Sequence, residues 1–213
     1  RAVRRCRFVV SSRHMFMAWS PRKRVLAAVA AIAVVVGVAV GVWWYLGHRV
    51  VVKPFPINPQ DTISSWTFKG GYTGNQPLID QTKADVDRLT ALLGKGETDD
   101  YSLYNAIGND ENLLGDGEAA YRAYGHAVAL DSSQGLAYAN LGNLMDSLDA
   151  YYTAADAYAA AVHAQPGSLV FHVERLQFLT AKLPDNADLL QAARMDARAQ
   201  FGDNMPAVLA PYE

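Results

Sequence analysis

The sequence contains one cysteine, Cys6, a scarcity that excludes an intramolecular disulfide and any multi-cysteine zinc site. Its 213 residues suffice to bury a core without such staples. Catalytic signatures are missing as well. The five histidines (His14, His48, His126, His163 and His172) show no metal-ligand spacing with acids or with the cysteine. No glycine-rich phosphate loop, G-x-S-x-G elbow or H-E-x-x-H helix occurs. Cys6 has no triad partners nearby, and the carboxylates are scattered over helix starts and solvent faces. The expectation is a chain that is not an enzyme and holds neither cofactor nor metal.

Charge is absent in two places. Residues 1–24 hold eight basic residues (Arg1, Arg4, Arg5, Arg7, Arg13, Arg22, Lys23 and Arg24) and no acid. The remainder holds 11 bases against all 21 acids, a balance of −10, so the formal charge of −2 averages a basic arm and an acidic body. No nucleic-acid partner is expected for that body. Between the two blocks, Val25–Gly47 carries no charged residue. A bilayer core needs about 20 helical residues, and this run is long enough to predict a transmembrane helix with some tilt. Trp43, Trp44 and Tyr45 cluster at its far end, where amphipathic rings favour the lipid–water boundary.

The basic arm sets the expected orientation: N-terminus cytoplasmic and everything after about residue 48 across the membrane. A cleaved signal peptide would have a shorter apolar run and small residues where Trp43–Tyr45 stand, so an uncleaved anchor is the better reading. No cysteine follows the run, which leaves a lipoprotein anchor unsupported. Met15 or Met17 as the start would shorten the arm but keep Arg22, Lys23 and Arg24, and hence the orientation. Ala33, Gly37 and Gly41 form a stripe of small residues four apart, a spacing that lets membrane helices pack closely in a homodimer or a membrane complex.

Beyond the span, residues 48–76 read as an irregular, stiff spacer, with Pro54, Pro56 and Pro59 close together and Gly70, Gly71 and Gly74 in turn material. Ile63–Phe68 reads as a short strand. From Pro77, Val86, Leu89, Leu92 and Leu93 recur at helical spacing, with Asp80 as candidate cap and Gly94 as stop, defining a segment 77–100 of one helix and a loop.

The stretch 101–168 then repeats itself. Moved forward by 34, residues 101–134 fall on 135–168. Tyr104 meets Tyr138, Ile107 meets Leu141, and Gly108-Asn109 meets Gly142-Asn143. Ala120 meets Ala154, Tyr124 meets Tyr158, and Ala127 meets Ala161. Each unit reads as a helical hairpin. Gly108 and Gly142 allow close approach of its two helices, Ala120 and Ala154 offer the small partner surface, and Pro166 stops the second helix. Glu111 and Ser132 depart from the pattern, and a third stretch, 169–200, keeps the hairpin length but places His172, Arg175, Leu176 and Asp188 in the patterned slots.

A 34-residue period with aromatic, Leu-Gly and Ala-x3-aromatic positions resembles the tetratricopeptide-repeat family over about 101–200. The fold class implied is all-α: an N-terminal transmembrane helix, then an α-α superhelix of stacked hairpins at 101–134 and 135–168, a degenerate capping hairpin at 169–200, and a tail at 201–213. The resemblance also implies a peptide groove lined by the first helix of each hairpin. The matching residues are Asn105, Asn109, Asn140 and Asn143, with Asp146, Glu174 and Gln177 continuing that face. No basic residue occupies the slots that grip a C-terminal carboxylate, so a neutral or basic segment is the expected guest. Asn at these slots also belongs to the generic repeat pattern, where it serves local packing. Tyr121, Tyr151 and Tyr152 are either further contacts or inter-repeat core.

The expected function is a single-pass membrane-anchored scaffold that binds a protein partner beside the bilayer. The alternatives are a structural subunit held through its membrane helix, or a membrane-tethered chaperone for extended clients.

Overall fold

A computed structural model describes residues 21–47, 55–202 and 206–212. The described residues form eight α-helices and no strand, an all-α structure. They divide into two units, 1–49 and 50–213. The arm at 1–20, with Cys6 and His14, lies outside the described residues, as does His48.

In the first unit, α1 (Pro21–Gly47) is a continuous 27-residue helix covering the whole uncharged run. Its side chains from Val25 to Val40 are all exposed. Among the described residues no helix is long and apolar enough to cross a membrane. The described side chains of α1 end at Val40, so the segment expected to span is found as a helix and not, among those residues, as a membrane span. A Cβ added at Gly37 would meet nothing within 4 Å, and Ala33 is likewise open; Gly41 lies in α1 beyond the described side chains.

The second unit begins with the extended segment 55–75 and continues through seven helices. Helix α2 (Gln76–Leu92) is capped by Asn75, whose side chain accepts from the Leu78 N–H, with Pro77 in the first turn. Asp80, the expected cap, instead lies inside the helix and accepts from Gln76 Nε2 at 2.8 Å. Proline suits the first helical turn because its missing N–H would have no partner there, which places the cap just ahead of it.

Three hairpins follow: α3 (Asp100–Leu114) with α4 (Gly117–Leu130), α5 (Gly135–Ser147) with α6 (Tyr151–Ala164), and α7 (Leu169–Lys182) with α8 (Ala187–Phe201). Helix α3 starts where Asp99 accepts from the Tyr101 and Ser102 N–H groups and stops at Gly115, whose φ of 83° is left-handed. Asp116 caps α4 through the Ala119 N–H. Helices α4 and α6 begin and end at equivalent positions of the repeat. Pro166 follows the end of α6, and Pro184-Asp185-Asn186 separates α7 from α8, with Asn186 accepting from the Leu189 N–H.

The interior is built largely from alanine. Ala120, Ala127, Ala137, Ala154, Ala157 and Ala161 are fully buried, and Tyr124, Leu141, Leu144, Met145 and Leu179 fill the spaces between. Small side chains bring helix backbones close, and the large ones interlock across the seam. Both ends of the array are covered. Val86, Leu89 and Leu92 of α2, with Leu93 just after it, pack on Leu103, Ile107 and Ala123. After α8, Leu209 is 1% exposed in the same cluster as Ala193 and Ala197, and the Arg194 guanidinium donates to the Tyr212 carbonyl.

Two expectations for residues 48–76 are corrected. Ile63–Phe68 is not a strand: it makes one antiparallel bridge, Thr67 to Asp116, flanked by Phe68 N–H to Gly115 O at 3.2 Å and Gly117 N–H to Trp66 O at 2.8 Å. The partner is the α3–α4 turn, which offers too few free groups to extend a ladder. From Phe55 onward the segment is also not a free spacer. Phe55, Ile63, Trp66 and Phe68 pack against the main core, and the Tyr121 hydroxyl donates to the Phe55 carbonyl. Phe55 meets Tyr138 edge-on at 6.1 Å, and Trp66 lies 5.0 Å from Tyr121. Tyr121 is therefore committed to holding this strap.

Candidate binding groove

The first helices of the hairpins, α3, α5 and α7, carry the residues expected to line a groove. Each of the two patterned repeats starts from a clasp between its two helices. The Tyr124 hydroxyl donates to Asn109 Oδ1 at 2.8 Å, and one repeat later the Tyr158 hydroxyl donates to Asn143 Oδ1 at 2.7 Å. The tyrosine rings lie over Gly108 and Gly142. A Cβ at Gly108 would come within 2.6 Å of Tyr124 Cδ1, and one at Gly142 within 2.8 Å of Tyr158 Cζ. Burial pushes both phenol groups well above the ordinary tyrosine range, so they stay protonated donors. Asn109 and Asn143 are themselves exposed, which leaves their amide N–H groups facing outward while their oxygens are engaged.

Asn105 does something different. It is 4% exposed, its amide donates to the Tyr101 carbonyl at 3.0 Å, and its oxygen accepts from Asn140 Nδ2 at 3.2 Å. The pair joins α3 to α5 and leaves Asn105 unable to meet a guest. Asn140 is half-buried, and one N–H of its amide is spent on this internal bond.

The remaining expected residues do converge. Asn143 and Asp146 of α5, Tyr158 of α6, and Glu174, Gln177, Phe178, Ala181 and Lys182 of α7 line one open cavity of about 260 Å³. Asp146 is paired with Lys182 Nζ at 2.7 Å, and that ammonium also lies 4.9 Å over the Tyr151 ring. The bond to Asp146 raises the Lys182 pKa, which keeps it charged. Glu174 has no such relief. Its Oε2 is buried without a hydrogen-bond partner, and burial raises its carboxyl above the usual range. Asp110 and Glu111, on α3, are raised for the same leading reason.

Lys182 and Phe178 are groove residues that the repeat pattern does not single out. A signal is present all the same: Glu174, Phe178 and Lys182 stand four apart, which puts them on one face of a helix. Tyr151 donates to Asp149 Oδ1 at 2.7 Å and borders the groove through Lys182; Tyr152 instead helps line a neighbouring opening of about 500 Å³ with Lys182 and Pro184.

The third hairpin is closed by other chemistry. Leu176, buried, occupies the slot of Gly142, and Ala192 that of Tyr158, so bulk has moved from the second helix to the first. Arg175, also buried, donates to Asp196 Oδ2 at 2.5 Å across α7 and α8, and buried His172 contacts the Pro166 carbonyl at 2.8 Å. These polar bonds replace the tyrosine–asparagine clasp and explain why the repeat pattern fades there.

Among the described residues no group of three or more His, Cys, Asp or Glu side chains is placed to hold a metal ion. Compared with protein-family models, with curated proteins and with solved structures, the chain gives no match in any of the three.

Proposed function

We propose that the protein is a single-pass membrane scaffold whose body, of the tetratricopeptide-repeat kind, holds an extended segment of a partner protein in the groove between α5 and α7. One observation carries this reading: the polar side chains of Asn143, Asp146, Glu174 and Gln177, from two successive first helices, line a single cavity. The uncharged run Val25–Gly47, flanked by the basic arm, supports the anchor and the placement of the body on the side of the membrane opposite the N-terminus. The sequence carries no phosphate-loop, nucleophile-elbow or H-E-x-x-H motif and no metal-ligand spacing, which supports a binding role without catalysis.

The test is selection of random displayed octapeptides on the full chain held in lipid nanodiscs. A set of peptides that compete with one another and are lost on Ala181→Arg and on Gln177→Arg is expected, since both positions are exposed at the groove. If nothing is selected, or the selected peptides ignore both changes, the groove reading fails.

A second reading, association through the helix itself, is favoured by the open surface at Ala33 and Gly37. It expects Gly37→Leu to abolish close-range transfer between labelled copies, or between the chain and its complex, while groove changes leave that signal alone.

A further inference from the structure

The groove holds three charged side chains, and two of them answer each other. Asp146 and Lys182 are paired at 2.7 Å, and Lys182 is further held against Tyr151. Glu174 is left over. Its Oε2 is buried, has no donor within the protein, and belongs to a side chain lining the cavity beside Asn143, Tyr158 and Gln177. A carboxylate oxygen removed from water without a donor is a standing penalty, relieved most fully by a charged donor. The ammonium of Lys182, in the same groove, is already engaged. The body as a whole carries the excess of acid, so a basic guest is also drawn toward it at long range. Ala181, exposed, and Phe178, buried in the core but lining the cavity, give an apolar floor beside Glu174, which suits the methylene stem of a long basic side chain.

We propose that the segment received by the groove carries a lysine or arginine whose cation is bound by Glu174, with its stem over Phe178 and Ala181. This rests on the groove reading above and names the chemistry of its occupant. Asn143 and Gln177 then hold the guest's backbone on either side of that residue, and Lys182 disfavours a second positive charge at the Asp146 end. The groove discriminates by charge: an acidic side chain at the same place would leave Glu174 unpaired and add repulsion.

The peptides selected on the nanodisc-held chain decide it. A lysine or arginine is expected at one fixed position. Replacing that residue by norleucine should weaken binding about tenfold or more, measured by fluorescence anisotropy at fixed salt, and Glu174→Gln should do the same. The two changes together should weaken binding hardly more than either alone, because they remove one interaction. Glu174→Asp, which keeps the charge on a shorter stem, should fall between wild type and Glu174→Gln. Peptides that are lost on Ala181→Arg yet carry no basic residue, or that bind Glu174→Gln within about twofold of wild type, would overturn this inference and leave the groove standing. Selection of nothing would overturn both.

Discussion

The carboxylate of Asp61 accepts from the backbone N–H of Thr153 at 2.6 Å and from its hydroxyl at 2.7 Å, across 92 residues of sequence. It also accepts from the Tyr152 N–H at 3.3 Å. These are groups of the first turn of α6, whose own cap position is Ala150 and makes no side-chain bond. In the preceding hairpin the matching slot, one repeat earlier, is Asp116, which caps α4 locally. The second repeat lacks its cap, and the strap supplies one. A helix N-terminus leaves its first N–H groups unsatisfied and favours negative charge, so a distant carboxylate serves as well as a local one. Thr153, fully buried, is satisfied on its other side by the Asn58 N–H at 2.9 Å.

Asp61→Ala is expected to cost about 1–2 kcal/mol, and hence to lower Tm by roughly 3–6 °C. Hydrogen exchange should quicken first at Tyr152 and Thr153. Thr153→Val should cost a similar amount, and the double variant less than the sum, because the two side chains share one interaction. Strict additivity in a denaturation cycle would refute the trans-cap.

Gly108→Ala and Gly142→Ala should each destabilise by about 1–3 kcal/mol although alanine is the better helix former, because the new methyl overlaps the ring of Tyr124 or Tyr158. Gly167→Ala, whose Cβ would meet only Gln200 Nε2 at 3.9 Å, should stay within about 0.5 kcal/mol. Equal effects at all three positions, read from urea midpoints, would contradict the clasp geometry.

Tyr124→Phe and Tyr158→Phe keep the rings over the glycines and remove only the hydroxyl. Each should lose about 0.5–1.5 kcal/mol, by similar amounts since the clasp is repeated. Because Asn143 lines the groove and Asn109 does not, Tyr158→Phe should also change peptide affinity, while Tyr124→Phe should not.

Glu174 makes a pH-dependent contribution of defined sign. Burial raises its folded pKa above the ordinary value of 4.5, so between those two values the folded state binds more protons than the unfolded chain. The stability it contributes is fully present below about pH 4.5 and is lost as pH rises through the raised value. Glu174→Gln should therefore gain on wild type as pH rises from about 4 to 7, with little difference at about pH 4. A gap that does not widen with pH across paired thermal melts would show that the carboxylate is not under strain.

The hairpins are legible in the sequence because their signals are local. Glycine–alanine spacing, aromatic slots and Pro166 act within a turn or a hairpin, and the repeat makes most of them visible twice. The two second helices accordingly appear in register. The start of α2 is harder to read, because Asn75 and Asp80 are both competent caps by type and only the position of Pro77 in the first turn decides between them. Asn143, Asp146 and Gln177, which the family resemblance puts on one face, line one cavity. Asn105 does not, because a polar residue at a repeat position serves equally well to tie α3 to α5, and sequence spacing is the same in both cases. Glu111, which departs from the pattern, is a half-buried carboxylate with a raised pKa.

By itself, the sequence determined the separation of a basic arm from an acidic body, the helical run between them, and the length and order of the hairpins. Each of these depends on residues that are neighbours along the chain. Tertiary structure alone decided the fate of residues 55–75. Prolines and a run of glycines say only that such a segment will not be helical. That it lies against the hairpins, with Asp61 at the start of α6 and Phe55 held by Tyr121, follows from unpaired N–H groups and apolar surface created only when the distant helices have packed.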